Sequence, residues 1–179
     1  MIGPKRKPKE FGFGPNDTHL VVNDISETCK AYDFTGKLLW EVPCLARGIY
    51  GDKEWRIRNA DTPPGLYKLG AVYKDYLDHG KTPIRTKLSF GWITYDLVDL
   101  EGNEDGSGRA GVALHGGGSA CGWPGAWNAK QRLYVTHGCV RMYTADLVYR
   151  ALPLYDLGTV YVSVYQESYP EKVSVWFDD

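Results

Sequence analysis

The sequence predicts a mostly β domain with one helix near its end, and three observations carry that expectation. Short apolar runs rich in Val, Ile, Tyr and Thr recur along the chain, separated by Gly, Pro, Asn and Asp. Only one segment, "TADLVYRALPLYD", has helical spacing of apolar residues. The 179 residues, 43% hydrophobic and 24% charged, suit one domain that buries a core without disulfides or metal.

The expected strands, in order, are "HLVVNDI", "CKAYDF", "KLLWEVPC", "GLYKLGAVY", "KLSFGWITYDLV", "AGVALHG", "LYVTHGCVRM" and "TVYVSVYQ". The second and third form a hairpin turning at Phe34 to Lys37. That hairpin sets Cys29 near Cys44, as a disulfide or, more simply, as two small buried hydrophobes. In the helix, Thr144 is the expected N-cap, Leu147, Val148, Ala151 and Leu152 the apolar face, and Pro153 the limit of its end. The basic run "GPKRKPKE" marks residues 1–18 as a flexible arm; 19–166 form the domain and 167–179 a C-terminal extension. Two segments, "DLEGNEDGSGRAG" and "GGGSACGWPGAWNAKQR", read as loops, the second functional because plain disorder does not place tryptophans there.

A formal net charge of -1 supplies no field to draw the chain to nucleic acid or an anionic membrane, so neither is an expected partner. No apolar stretch approaches the ~18 residues of a membrane span. The N-terminus lacks the apolar centre of a secretory signal.

The chemistry concentrates in "VTHGCVRMYTADL". On a strand, His137, Cys139 and Arg141 would share one face. A cysteine is nucleophilic as thiolate and needs a base beside it. His137 on the same strand, or His115 at the end of "GVALHGGG", would serve, and spacing does not choose between them. Gly138 and Cys139 offer backbone N–H groups to an oxyanion, which suits acyl transfer. Arg141 would hold a substrate carboxylate or brace a loop. Two competing readings are a cysteine that merely packs, and a zinc site from His115, Cys121, His137 and Cys139, although H-x-C is not a usual zinc spacing.

"LHGGG…VTHGCVRM" resembles the active-site signature of the L,D-transpeptidases, the YkuD-like family, in which a histidine and a spacer precede Ser/Thr-His-Gly-Cys. "DTPPGLYKLG" resembles the family's Thr-Pro-x-Gly segment, and the likeness runs from about residue 19 to about residue 165. It implies a β-sandwich of mixed sheets with a short helix after the cysteine. By that resemblance Cys139 is the nucleophile, His115 the general base, and Gly116 the carbonyl that orients it. His137 and Gly138 flank the oxyanion hole, and Thr136 fills the Ser/Thr position. Arg141, Thr136, Tyr95, Trp123 and Trp127 are the residues expected to meet substrate; the aromatics read equally as packing residues. The spacer of 20 residues between His115 and Thr136 is longer than usual, and Arg141 stands where another form of the motif has asparagine.

The implied substrate is a peptidoglycan stem. Cys139 would attack at the L-centre of residue three, release D-Ala, and pass the acyl group to an amine for a 3–3 cross-link, to a D-amino acid in exchange, or to water. The last outcome is an L,D-carboxypeptidase; a wall-binding module with an inactive site is the non-enzymatic alternative. No cofactor or resident metal is expected. Action in the periplasm or wall without a visible signal leaves the export route open, with phage or secretion-system delivery as expectations.

Overall fold

The computed structural model describes residues 3–49, 61–74, 88–102, 111–118 and 125–166. Eight strands lie among them: β1 (Thr18–Asn23), β2 (Thr28–Tyr32), β3 (Leu38–Leu45), β4 (Gly65–Tyr73), β5 (Thr94–Asp99), β6 (Ala113–His115), β7 (Val140–Met142) and β8 (Val160–Tyr165). Their hydrogen bonds close a ring in the order β1-β2-β3-β7-β6-β5-β4-β8. The mostly β class with a helix after Cys139 is present. The mixed sheets of the expected sandwich are joined edge to edge, through the parallel pair β1–β8 on one side and the antiparallel pair β3–β7 on the other.

Period-two alternation fills the interior. Leu20 and Val22 of β1, and Val160, Val162 and Val164 of β8, enter the apolar core with Tyr67, Leu69, Tyr95, Leu97, Leu114, Val140 and Met142. The alternate residues of β1 and β8 are nevertheless buried, because residues 3–13 cover them. The Tyr161 hydroxyl donates to the Phe11 carbonyl at 2.8 Å, and the Phe13 ring meets Tyr161 edge-on at 5.7 Å. The Glu101 carboxylate accepts the backbone N–H groups of Lys5, Arg6 and Leu66. The segment expected to be a flexible arm is therefore docked. Its aromatic and backbone groups complete the outer face of β1 and β8, which composition and charge do not reveal.

Cys29 and Cys44 face the core from β2 and β3 as free, fully buried thiols. Burial pushes both thiols well up, as expected of packing groups.

The helix starts at Thr144, one residue earlier than an N-cap there implies, and runs on through Pro153, in three pieces: α1 (Thr144–Asp146), a π turn (Leu147–Ala151) and α2 (Leu152–Leu157). A proline inside an α-helix collides with the carbonyl four residues back, and the wider π turn just before Pro153 relieves that collision. Tyr143, not Thr144, occupies the N-cap position. The Thr144 hydroxyl donates instead to Gln131 Oε1 at 3.0 Å.

Two long expected strands are cut short. "KLSFGWITYDLV" forms a strand from Thr94, and "LYVTHGCVRM" from Val140, preceded by a lone parallel bridge between Thr136 and Gly48. In the first, Gly91 has φ 77° and packs against Gly117, itself at φ 67°. A Cβ on Gly117 would stand 2.6 Å from the Ser89 backbone and 2.7 Å from the Gly91 nitrogen. Gly117→Ala is expected to destabilise the fold by about 2 kcal/mol, read as a lower urea midpoint at unchanged slope; a neutral result would show that this backbone crossing yields.

Candidate active site

His115 ends β6, and its register places it beside Thr94 of antiparallel β5 and beside Arg141 of parallel β7. Cys139 sits immediately before β7, half-buried. The two candidate residues thus lie at the ends of neighbouring, paired strands.

The His115 ring is 3% exposed, with the edge of Phe90 against it at 4.9 Å between centroids. Its Nδ1 lies 2.7 Å from the Gly116 carbonyl oxygen. A carbonyl only accepts, so Nδ1 carries the proton, and in the neutral ring Nε2 holds the lone pair. Burial first, then the Arg141 charge, push the His115 pKa down to about 3 against the opposing effect of the Gly116 bond. The imidazole is a neutral base at physiological pH.

The glycines after His115 are there for close approach. The N–H groups of Gly116 and Gly118 bond to the carbonyls of Phe90 and Leu88 at 3.0 and 2.8 Å. A Cβ on Gly116 would stand 2.5 Å from the Thr144 hydroxyl. Gln131 closes the other side: its Nε2 donates to the Met142 carbonyl and its Oε1 accepts the Thr144 N–H, both at 2.8 Å. The segment carrying His115 is clamped between residues 88–91 and the start of the helix.

The cysteine turn is held from within. Thr136 Oγ1 accepts the Gly138 N–H at 2.9 Å and donates to the Cys139 carbonyl at 2.8 Å. Thr62 Oγ1 donates to the Gly138 carbonyl at 3.0 Å. Gly138 adopts φ 118°, a value that L side chains rarely reach, which explains the glycine in this motif.

Several expectations for individual residues need correction. His137 is exposed whereas Arg141 is wholly buried, so the two do not share a face with Cys139: the Gly138 conformation breaks the strand alternation between them. The Gly138 N–H is engaged by Thr136 and so is not an open donor for an oxyanion. Thr136 is 2% exposed, and its hydroxyl bonds inside the turn rather than facing a cleft. Arg141 donates from Nη1 to the Tyr134 carbonyl at 3.0 Å, bracing the segment before the motif.

Tyr95 lies one residue from the position that reaches the site. It pairs with Leu114, points into the core, and donates to the Leu147 carbonyl at 2.7 Å. Its neighbour Thr94 stands beside His115, since a one-residue step on a strand changes face. Trp127 is half-buried, and its carbonyl accepts the Trp92 indole N–H at 2.9 Å. Trp123 and Cys121 lie outside the described residues, as does the segment 167–179. Among the described residues no group of three or more His, Cys, Asp or Glu is arranged to hold a metal ion. Thr62, Thr94 and Gln131 were not anticipated. "DTPPG" contained a signal for Thr62, while the other two depend on register and on a loop contact.

Residues 18–162 match the family model described as YkuD, the L,D-transpeptidase catalytic domain. The chain belongs to that family. No curated protein sequence matches it significantly. Among solved structures, Bdellovibrio bacteriovorus Bd1075 is similar over 98% of this chain and 55% of its own, at TM-score 0.62 and 15% identity. The helical cell shape determining protein Pgp2 from Campylobacter jejuni is similar over 85% of this chain and 48% of its own, at TM-score 0.50 and 14% identity. At such identities the likeness is one of fold. The YkuD chain spans about half the length of these neighbours. Among its described residues no helix is long and apolar enough to cross a membrane.

Proposed function

We propose that this YkuD domain is a cysteine acyltransferase acting on peptidoglycan stem peptides in the periplasm or wall. Cys139 attacks the carbonyl of the L-centre at position three of a tetrapeptide stem. His115 Nε2 takes the thiol proton as the S–C bond forms, then returns it to the amine of departing D-Ala. The resulting thioester is resolved by an amine of a second stem, giving a 3–3 cross-link, with His115 now accepting the proton of the incoming nucleophile. A free D-amino acid in the same place gives exchange.

The observation that supports this reading most is the state of His115. It is a buried, neutral imidazole whose Nδ1–H is bound by the Gly116 carbonyl, on the strand paired in register with β7, which Cys139 precedes. With Nδ1 protonated, the lone pair is on Nε2, the tautomer that a general base acting through Nε2 requires. The chain's own groups account for each proton, so the reaction calls for no cofactor.

The test is incubation with a purified disaccharide tetrapeptide, followed by intact mass and product analysis. Released D-Ala, an acyl adduct on Cys139 and dimeric muropeptide are the expected results. Tripeptide without dimer would assign hydrolysis in place of transfer, the activity suited to an effector delivered by a phage or secretion system. Folded protein with neither adduct nor D-Ala would leave a wall-binding module.

A further inference from the structure

Among the described residues, one buried hydroxyl beside the site is not used by the fold. Thr94 of β5 stands directly opposite His115 of β6, which in turn stands beside Arg141 of β7. Residues paired directly across a sheet project from one face, with Cβ atoms about 5 Å apart. Tyr95 and Leu114, the next pair, enter the core, so Thr94 and His115 share the opposite, outer face. Both are deeply buried, Thr94 at 5% exposure and His115 at 3%.

The other buried threonines around the site bond within the fold: Thr62 to the Gly138 carbonyl, Thr136 to the Cys139 carbonyl and Thr144 to Gln131. Thr94 Oγ1 has no hydrogen-bond partner among the described residues. Tyr73, its neighbour on β4, sends its hydroxyl two residues along β5 to Asp96 at 3.0 Å. Burying a hydroxyl without a partner is costly, and a valine would fill the same space on a strand at no such cost. The Gly116 carbonyl occupies His115 Nδ1, so the ring nitrogen left to meet a reactant is Nε2, and Thr94 flanks the residue that carries it. We propose that Thr94 Oγ1 contacts the substrate: it accepts the N–H that stays on nitrogen when the stem amide breaks or an amine comes in. This inference rests on the acyl-transfer reading of the site.

The chemistry of the transfer supplies the need for such an acceptor. As Cys139 Sγ forms its bond to the stem carbonyl carbon, the C–N bond to D-Ala breaks, and the thiol proton passes through His115 Nε2 to that nitrogen. The nitrogen already carries one hydrogen, the amide N–H, which never leaves it. In the reverse sense an incoming amine gives one hydrogen to Nε2, for return to the sulfur, and keeps one on the new amide. His115 handles the moving proton. A second acceptor beside it holds the hydrogen that stays, and so orients the nitrogen toward Nε2 and the reacting carbon in both directions. An ester oxygen in the same place carries no hydrogen for Thr94 to accept.

The deciding experiment gives wild type and Thr94→Val two donors, a disaccharide tetrapeptide ending in D-Ala and its counterpart ending in D-lactate. Release of D-Ala or D-lactate in the first turnover is followed together with the Cys139 adduct. Thr94→Val should react about tenfold more slowly with the amide and at close to the wild-type rate with the ester. Thr94→Ser, which returns the hydroxyl, should recover the amide rate. A residue that merely packs would change both donors by the same factor, so an amide-to-ester ratio equal in Thr94→Val and wild type overturns the proposal. The urea midpoint is a readout independent of activity. Removing a hydroxyl that the fold does not use should hold or raise it, and a clear fall would show that hydroxyl bonded within the fold and overturn the proposal. Wild type that reacts with neither donor would sink the acyl-transfer reading and this inference with it; wild type that reacts with both, at a ratio Thr94→Val leaves unchanged, would sink this inference alone.

Discussion

Cys139→Ala is expected to release no D-Ala and form no acyl adduct, a loss of about 10^4-fold or more, because among the described residues the other thiols, Cys29 and Cys44, are buried in the core. The fold should survive, since Cys139 is half-buried in a turn held through its backbone carbonyl by the Thr136 hydroxyl and through the Gly138 carbonyl by Thr62. His115→Gln should keep the adduct but form it about 10^2- to 10^4-fold more slowly, the usual cost of a missing general base. The pH dependence separates the roles further. With His115 pushed down to about 3, its proton affinity is too low to appear in the rate near neutrality. The acid side of the kcat/KM profile should therefore show no inflection near pH 6.5. An inflection there that vanished in His115→Gln would contradict the buried, neutral base.

Acid should unfold this protein earlier than its balanced charge suggests. His19 and His115 are both fully buried, and burial pushes each down to about 3. An unfolded histidine titrates near 6.5, so between those values the unfolded chain binds the extra protons. Stability is then complete above pH 6.5 and falls as pH drops toward 3, by on the order of 1.4 kcal/mol per pH unit for each ring. Asp24 acts in the opposite sense: raised to about 7, it stabilises the fold below its unfolded value near 3.8 and loses that contribution as pH rises through 7. From pH 6.5 to 4 the two histidines therefore outweigh one carboxyl.

The histidine outside the site isolates the effect. His19 Nε2 lies 2.6 Å from the Ser163 hydroxyl under the docked N-terminal segment. The double replacement His19→Phe with Ser163→Ala removes both polar partners together, which limits the cost at pH 7. Urea midpoints at pH 7 and pH 4 should show the variant losing on the order of 3 kcal/mol less than wild type on acidification. Equal losses would mean that His19 takes up its proton without unfolding.

The residues proposed to carry chemistry were readable because they sit in short, local patterns. "THGC" and "LHGGG" hold the proposed nucleophile, the proposed base and the glycines that let backbone approach closely. The β2–β3 turn and the start of the helix after the cysteine are local as well. Placement across strands was less readable. Tyr95 and Thr94 are adjacent, and only the pairing of β5 with β6 decides which one stands beside His115. Pro153 reads as a helix end until the π turn before it is seen.

By itself the sequence determined the mostly β class and the hairpin of β2 and β3, since each follows from residues close in the chain; it offered His115 and His137 alike as partners for Cys139. Only the tertiary structure decided the closing of the ring between β1 and β8, the docking of residues 3–13, and the Gly116 bond that sets the His115 tautomer. These depend on strand register, on burial, and on groups far apart in the chain meeting in one place. A linear pattern encodes which residues are available, whereas protonation and contact are properties of the packed neighbourhood.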